Sequence, residues 1–144
     1  FLNLGLDTTR ADLVRATLEG VAFQLAWLLG PIEELTGRRY PELVFGAGGA
    51  RSDGWAQILA DVCGRPVRRL AEPRLVNCRG VARLAFHRLG IAPLARGAAW
   101  LAGHRSYEPR ARWRALYEDL AGRFALAHER LGPVFGGARA EDEK

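Results

Sequence analysis

Residues 46–53 read Gly-Ala-Gly-Gly-Ala-Arg-Ser-Asp: three glycines within four positions, a basic residue, then a Ser-Asp pair suited to starting a helix. Directly upstream, Leu43-Val44-Phe45 reads as a short strand opened by Pro41-Glu42. A strand, a glycine turn and a helix N-terminus together make an anion site. The first helical turn carries unsatisfied N–H groups, and the helix dipole adds partial positive charge there. Glycine has no Cβ, so a phosphate or a purine ring can lie against the backbone. A tight turn that needs positive φ would select glycine equally well, so both readings stand at this point.

Spacing decides against two familiar loops. A phosphate-binding GxxxxGK[ST] loop needs a Gly-Lys pair, and the chain has none. A dinucleotide GxGxxG read from Gly46 fails at its last position, which is Arg51. The acidic residue expected about 20 positions further on is at best Glu72, beyond the next strand.

The elements that must position this loop follow from periodicity and punctuation. Thr9 with Asp12 resembles a capping box, so a helix should begin there. Apolar residues then recur at Leu13, Ala16, Val21, Leu25, Leu28 and Leu29, which predicts a long, mostly buried helix ending near Gly37, with Pro31 as a point of bending. Within it, Arg15 and Glu19 stand one turn apart and read as a structural ion pair. After the loop, Ser52 should cap a helix through Trp55, Ile58, Leu59 and Val62 that stops at Gly64 and Pro66. Val67 to Leu70 reads as a second strand, and Asn77 to Leu89 as a helix whose Gly80, Ala82 and Ala85 would allow close packing, ended by Gly90. A short helix over 93–102 and a strongly amphipathic one over 113–131 complete the pattern. Helices outnumber strands, and the alternation predicts an α/β layer.

Composition sets the outer bounds. With 144 residues, 49% of them hydrophobic, the chain can bury a sizeable core, and only the tail AEDEK reads as disordered. The net charge of +5 tempts a nucleic-acid reading, but the cations are almost all arginine and are spread along the chain rather than clustered. No nucleic acid is therefore expected as a partner. Cys63 and Cys78 form no CxxC, and His87, His104 and His128 are scattered, so neither a disulfide framework nor a metal site is expected. Reduced thiols suit a cytoplasmic protein. No signal peptide and no membrane-spanning stretch are expected, since Phe23 to Leu29 has Glu19 and Glu33-Glu34 close by. The chain opens on Phe1 and contains no methionine, as a fragment would.

LVFGAGGARSDGWAQILADVCGRPV, residues 43–67, resembles the adenosine motif of the FGGY carbohydrate kinases. Gly48, Gly49, Ala50, Arg51, Ser52, Trp55, Gln57, Ala60, Asp61, Gly64, Pro66 and Val67 fall in step with that motif, while Ala47 replaces the first glycine of its run. That departure is expected to narrow the loop slightly. FLNLGLDTTRADLVRATLEG is similar to the family's C-terminal signature, with Asn3 where glycine is usual; Asn tolerates left-handed backbone better than most residues. NCRGVARLAFHRLG resembles the small-residue helix that follows, closest to a xylulose-kinase-like branch.

The resemblance implies a helix-rich, partial actin-like or ribonuclease-H-like ATPase lobe with a small sheet. It spans residues 1–108, with 109–144 as an amphipathic helix and charged tail. It implies ATP with Mg²⁺ as cofactors and a sugar or polyol as substrate, xylulose-like by preference, with Gly48, Gly49 and Ser52 at the nucleotide. Arg51 reads as solvated, and Trp55 and Ile58 as core. Gly49→Val is then expected to weaken nucleotide binding without harming the fold. In the family the sugar site, the phosphate-binding hairpins and the Asp base lie outside the matched segments, so no catalytic residue is assigned and these 144 residues alone are expected not to phosphorylate a sugar. The rival reading is a non-catalytic interaction or regulatory module derived from such a lobe, which could self-associate as a homodimer.

Overall fold

The computed structural model describes residues 1–94 and 104–136. Helix α1 (Arg10–Thr36) leads to strand β1 (Leu43–Phe45), a 3₁₀ turn (Gly48–Arg51) and helix α2 (Asp53–Cys63). Strand β2 (Val67–Leu70), a second 3₁₀ turn (Pro73–Leu75), helix α3 (Val76–Arg88), strand β3 (His104–Tyr107) and helix α4 (Arg114–Gly136) follow. The strands form one sheet in the order β1-β2-β3, with β1 and β2 parallel and β3 antiparallel to β2. The segment expected as a helix over 93–102 lies almost wholly outside the described residues. Strand β3 was not foreseen, since His-Arg-Ser-Tyr offers no apolar run.

Local chemistry fixes the helix ends. Thr9 Oγ accepts from the Asp12 N–H at 3.2 Å while the Thr9 N–H donates back to the Asp12 carboxylate at 2.9 Å, the capping box its sequence predicts. The Thr9 hydroxyl, donating to the Asp12 carboxylate at 2.6 Å, and then the Thr9 N–H hold the Asp12 pKa below its ordinary value. Gly37, Gly64 and Gly90 close α1, α2 and α3 with φ of 61°, 61° and 70°, the left-handed geometry that glycine adopts without penalty. Asn3 also stands at φ 59°, as its place in the sequence suggested.

Helix α2 sits at the centre. Ala56, Ile58, Leu59, Ala60 and Asp61 are all buried within its eleven residues. Ala22 of α1, Val67 of β2 and Tyr107 of β3 pack with them, flanked by Leu18, Leu43, Phe45, Trp55 and Val62. From Trp113, just before it, helix α4 turns one stripe inward, Tyr117, Leu120, Phe124, Ala127 and Leu131, at alternating spacings of four and three while its intervening residues stay exposed. Phe23 of α1 stacks on Phe124 and meets Tyr117 edge-on.

Two expectations about burial fail. Helix α1 is not mostly buried: only Ala22 and Phe23 are, whereas Val14, Trp27 and Leu28 are 58%, 54% and 47% exposed. Among the described residues it has α2 and α4 along one side and no layer on the other. Helix α3 buries nothing, and a side chain at Gly80 would meet no atom within 4 Å, so its small residues are not used for close packing among the described residues. By length and composition α1 could also cross a membrane, contrary to expectation, because Glu19 and Glu33 bracket an uncharged run rather than interrupt it. Here both ends of that run are tied into the fold. Arg15 and Glu19 bond to each other and to the Tyr117 hydroxyl, at 2.7–2.9 Å, and Glu33 takes two bonds from the Arg65 guanidinium and one from the Tyr40 N–H.

The Asp61 side chain is fully buried, and it is completely satisfied. It accepts from the Arg110 N–H (2.8 Å), from Arg110 Nε and Nη2 (3.0 and 2.5 Å) and from Gln57 Nε2 (3.1 Å). Removing the carboxylate strands these donors, so Asp61→Ala should cost about 3 kcal/mol in chemical denaturation. Asp61→Asn, which keeps acceptors, should cost less. A loss from Asp61→Ala no larger than that of an exposed control such as Asp119→Ala would refute the role.

Glu33 gives a pH signature. Its bonds from Arg65 and then from the Tyr40 N–H lower its pKa from 4.5 to about 2. A depressed carboxylate stabilises the fold above its unfolded value, and that contribution fades as pH falls from 4.5 towards 2. The melting temperatures of wild type and Glu33→Gln should therefore converge on acidification through this window. A constant gap between them down to pH 2.5 would contradict the linkage.

Candidate functional site

The parallel pair β1-β2 has two connections at its carboxyl ends, the glycine loop after β1 and residues 71–75 after β2. The crevice beyond the carboxyl ends of parallel strands is where open α/β sheets receive ligands. The two connections are joined there by the Ala47 N–H, which donates to the Pro73 carbonyl at 2.8 Å. Gly48 and Gly49 lie in the 3₁₀ turn, and Ser52 caps α2 by accepting from the Trp55 N–H at 3.2 Å. The Ser52 N–H donates to the Gly49 carbonyl at 3.1 Å. Among the described residues nothing accepts the Ser52 hydroxyl proton, which leaves that donor for a ligand.

The glycines can now be sorted by reason. None of Gly46, Gly48 and Gly49 has positive φ; the loop residue that does is Ala47, at φ 65° and ψ −162°. That region is populated almost only by glycine. The replacement of glycine by Ala47 is thus no slight narrowing but a strained backbone, contrary to the expectation. A Cβ at Gly46 would press on Val76 Cγ1 at 3.2 Å, so packing explains Gly46. At Gly49 it would overlap the Trp55 ring, 2.7 Å from Cε3, so packing explains Gly49 too. Gly49→Val would therefore disturb the fold, and the expectation that it would not is corrected. At Gly48 an added Cβ would meet nothing within 4 Å. Among the described residues neither φ nor packing accounts for it.

Beside the loop, Asp53 forms a network invisible in the sequence motif. Its carboxylate accepts from Arg69 (2.6 Å), Arg105 (2.8 Å) and the Tyr107 hydroxyl (2.7 Å), tying the start of α2 to β2 and β3. The Tyr107 bond, and then the charges of Arg69 and Arg105, hold the Asp53 pKa below its ordinary value. Desolvation and this bond push the Tyr107 phenol up. The signal that could have pointed to the network is the placement of Arg69 opposite Arg105 in the sheet, which needed β3 to be known. Arg51 is exposed and makes no ion pair among the described residues. A groove of about 810 Å³ lies elsewhere, between α1 and α4. Phe23, Leu120, Phe124 and Leu131 line it, and its Arg123 pairs with Asp119.

A helix-capped glycine loop thus stands at the carboxyl ends of two parallel strands, and comparison with known proteins identifies the family of the chain that carries it. Residues 1–89 match the model of the C-terminal domain of the FGGY family of carbohydrate kinases, and the chain belongs to that family. It is 32% identical over 143 residues to an autoinducer-2 kinase of Klebsiella pneumoniae subsp. pneumoniae, covering 95% of this chain and 27% of that protein. Among solved structures it resembles xylulose kinase from Rhodospirillum rubrum, with TM-score 0.74 and 30% identity over 94% of this chain and 28% of that one. Gluconate kinase from Lactobacillus acidophilus shares the fold at TM-score 0.72 and 20% identity, over 95% and 28% of the two chains. The fold is thus the actin-like ATPase fold of these kinases, and the chain spans about a quarter of the relatives it matches.

The strain at Ala47 yields a direct expectation. Ala47→Gly should raise stability by about 1 kcal/mol, the relief of the disfavoured φ less the added chain entropy of glycine. Thermal unfolding checks it; a lower melting temperature would show that Ala47 is not strained.

Proposed function

We propose that this chain forms the adenosine-side wall of the ATP site of a carbohydrate kinase, with Gly48 allowing close backbone approach and Ser52 supplying a hydroxyl donor. The observation that carries this is Gly48: a loop glycine that neither φ nor any neighbouring atom requires, at the carboxyl ends of two parallel strands. The uncapped N–H groups of the 3₁₀ turn and the dipole of α2 favour a negatively charged ligand there. ATP, when bound, supplies the phosphoryl group that such a kinase moves to an alcohol. Mg²⁺ would be held mainly by ATP and by groups beyond those described, since among the described residues no three carboxylate, imidazole or thiol groups converge.

The substrate we favour is a xylulose-like ketose, on the strength of the likeness to xylulose kinase; the likeness to autoinducer-2 kinases makes autoinducer-2 a second candidate. A cytoplasmic setting suits ATP use and two free thiols. Among the described residues we assign no base near the loop. Asp53, the adjacent carboxylate, is fully engaged by Arg69, Arg105 and Tyr107.

A coupled ADP-release assay on the full-length protein tests this, with ATP, Mg²⁺ and a panel of xylulose, other pentoses, hexoses, gluconate, glycerol and autoinducer-2. One member should give dependent turnover, and Gly48→Val should raise the KM for ATP about tenfold, a loss of ~1.4 kcal/mol in binding. The 144-residue chain alone should give none. Absence of turnover with every substrate, together with no ATP binding by calorimetry, would overturn the kinase reading.

A further inference from the structure

We infer that Trp55 is the positioning residue of the glycine loop: its ring fills the space that a side chain at position 49 would take, and so sets the backbone path that Gly48 and Ser52 present to the nucleotide. This rests on the nucleotide-site reading above and refines it, separating a glycine that faces ligand from one that faces protein. The indole lies between strand and turn. Phe45, the last residue of β1, meets it edge-on at 5.5 Å and 87°. On its other side a Cβ at Gly49 would stand 2.7 Å from Cε3 and 3.0 Å from Cη2, well inside contact distance.

The backbone closes the same circuit. The Trp55 N–H is held by Ser52 Oγ at 3.2 Å, and the Ser52 N–H by the Gly49 carbonyl at 3.1 Å. Strand end, turn, cap and ring therefore brace one another in a loop of contacts: Phe45 on Trp55, Trp55 on Ser52, Ser52 on Gly49, and Gly49 on Trp55. A displacement of the ring would release the turn at Gly49 and swing its neighbour Gly48. The two adjacent glycines then have different causes. Position 49 must be glycine because the indole is already there, whereas position 48 opens on empty space.

Thermal unfolding of the full-length protein, with and without ADP, tests this through a double-mutant cycle. Gly49→Ala should lower the melting temperature by about 5 °C through overpacking. In a Trp55→Leu background the same change should cost little or nothing, since the blocking ring is gone. Trp55→Leu should reduce the ADP-induced shift more than an equally destabilising core change such as Leu59→Ala. Gly48→Ala should leave the melting temperature unchanged while reducing the ADP shift. An equal cost of Gly49→Ala in both backgrounds would overturn the inference, as would an undiminished ADP shift in Trp55→Leu. If wild type shows no shift with ADP, the nucleotide site itself fails, and with it the positioning role; the cycle without ADP still decides whether Trp55 is why residue 49 is glycine.

Discussion

The bonds to Asp61 are the constraint on which the rest of the chain depends. Helix α2 is only eleven residues long yet is covered by α1, by the sheet and by the start of α4, so it buries almost its whole circumference. A carboxylate on such a helix would cost several kcal/mol if unpaired. Arg110, at the turn between β3 and α4, answers it with both its guanidinium and its backbone N–H, and Gln57 bridges from Asp61 to the Glu108 carbonyl at 2.9 Å. One buried charge thereby fixes where the chain must return after β3. The antiparallel addition of β3 to β2, and the seating of α4 against α1, follow from that return.

With α2 fixed, the edge that carries the glycine loop is largely determined. Its N-terminus is anchored twice, by Ser52 on the Trp55 N–H and by Asp53 on Arg69, Arg105 and Tyr107. Its C-terminus is stopped by Gly64 and held to α1 through Arg65 and Glu33. The glycine loop thus spans a short gap between a strand end and a doubly anchored helix, which limits its paths. That limitation is what allows Ala47 to be held at an unfavourable φ. The Pro73 carbonyl on its N–H and the Trp55 ring two residues on leave the backbone no relaxed alternative.

Much of the frame was legible because it depends on local chemistry. Thr9 with Asp12, Ser52 before Asp53, and glycines at 37, 64 and 90 mark helix ends through bonds within a few residues, and each stands where the sequence put it. Strands β1 and β2 are apolar enough at the right places to be read directly. The failures are all matters of tertiary context. The inward side of α1 is Leu18, Ala22, Phe23, Ala26 and Leu29, while Val21, Leu25 and Leu28, equally apolar in the sequence, stay exposed because α2 and α4 pack along the other side. Strand β3 carries no apolar pattern and is defined by pairing with β2. Of the site, the sequence located the loop and its cap but not the reason for each glycine, since that depends on where the rings of Trp55 and Val76's methyl groups fall.

That last point bears on how glycine-rich loops are interpreted. Three glycines in four positions suggest one cause, either turn geometry or ligand approach. Here turn geometry is the one cause that applies to none of them, because the positive φ falls on Ala47. Gly46 yields to Val76 and Gly49 to Trp55, two packing demands from opposite sides of the loop. Both demands come from the chain itself and would exist in a lobe that never met ATP. Among the described residues Gly48 alone is left over, with Gly49 beside it and Gly46 two positions before it both required by packing. The packing at positions 46 and 49 constrains the turn that carries Gly48, so the reading proposed above, of a peptide preorganised for an anion, rests on that one glycine and not on the count of three.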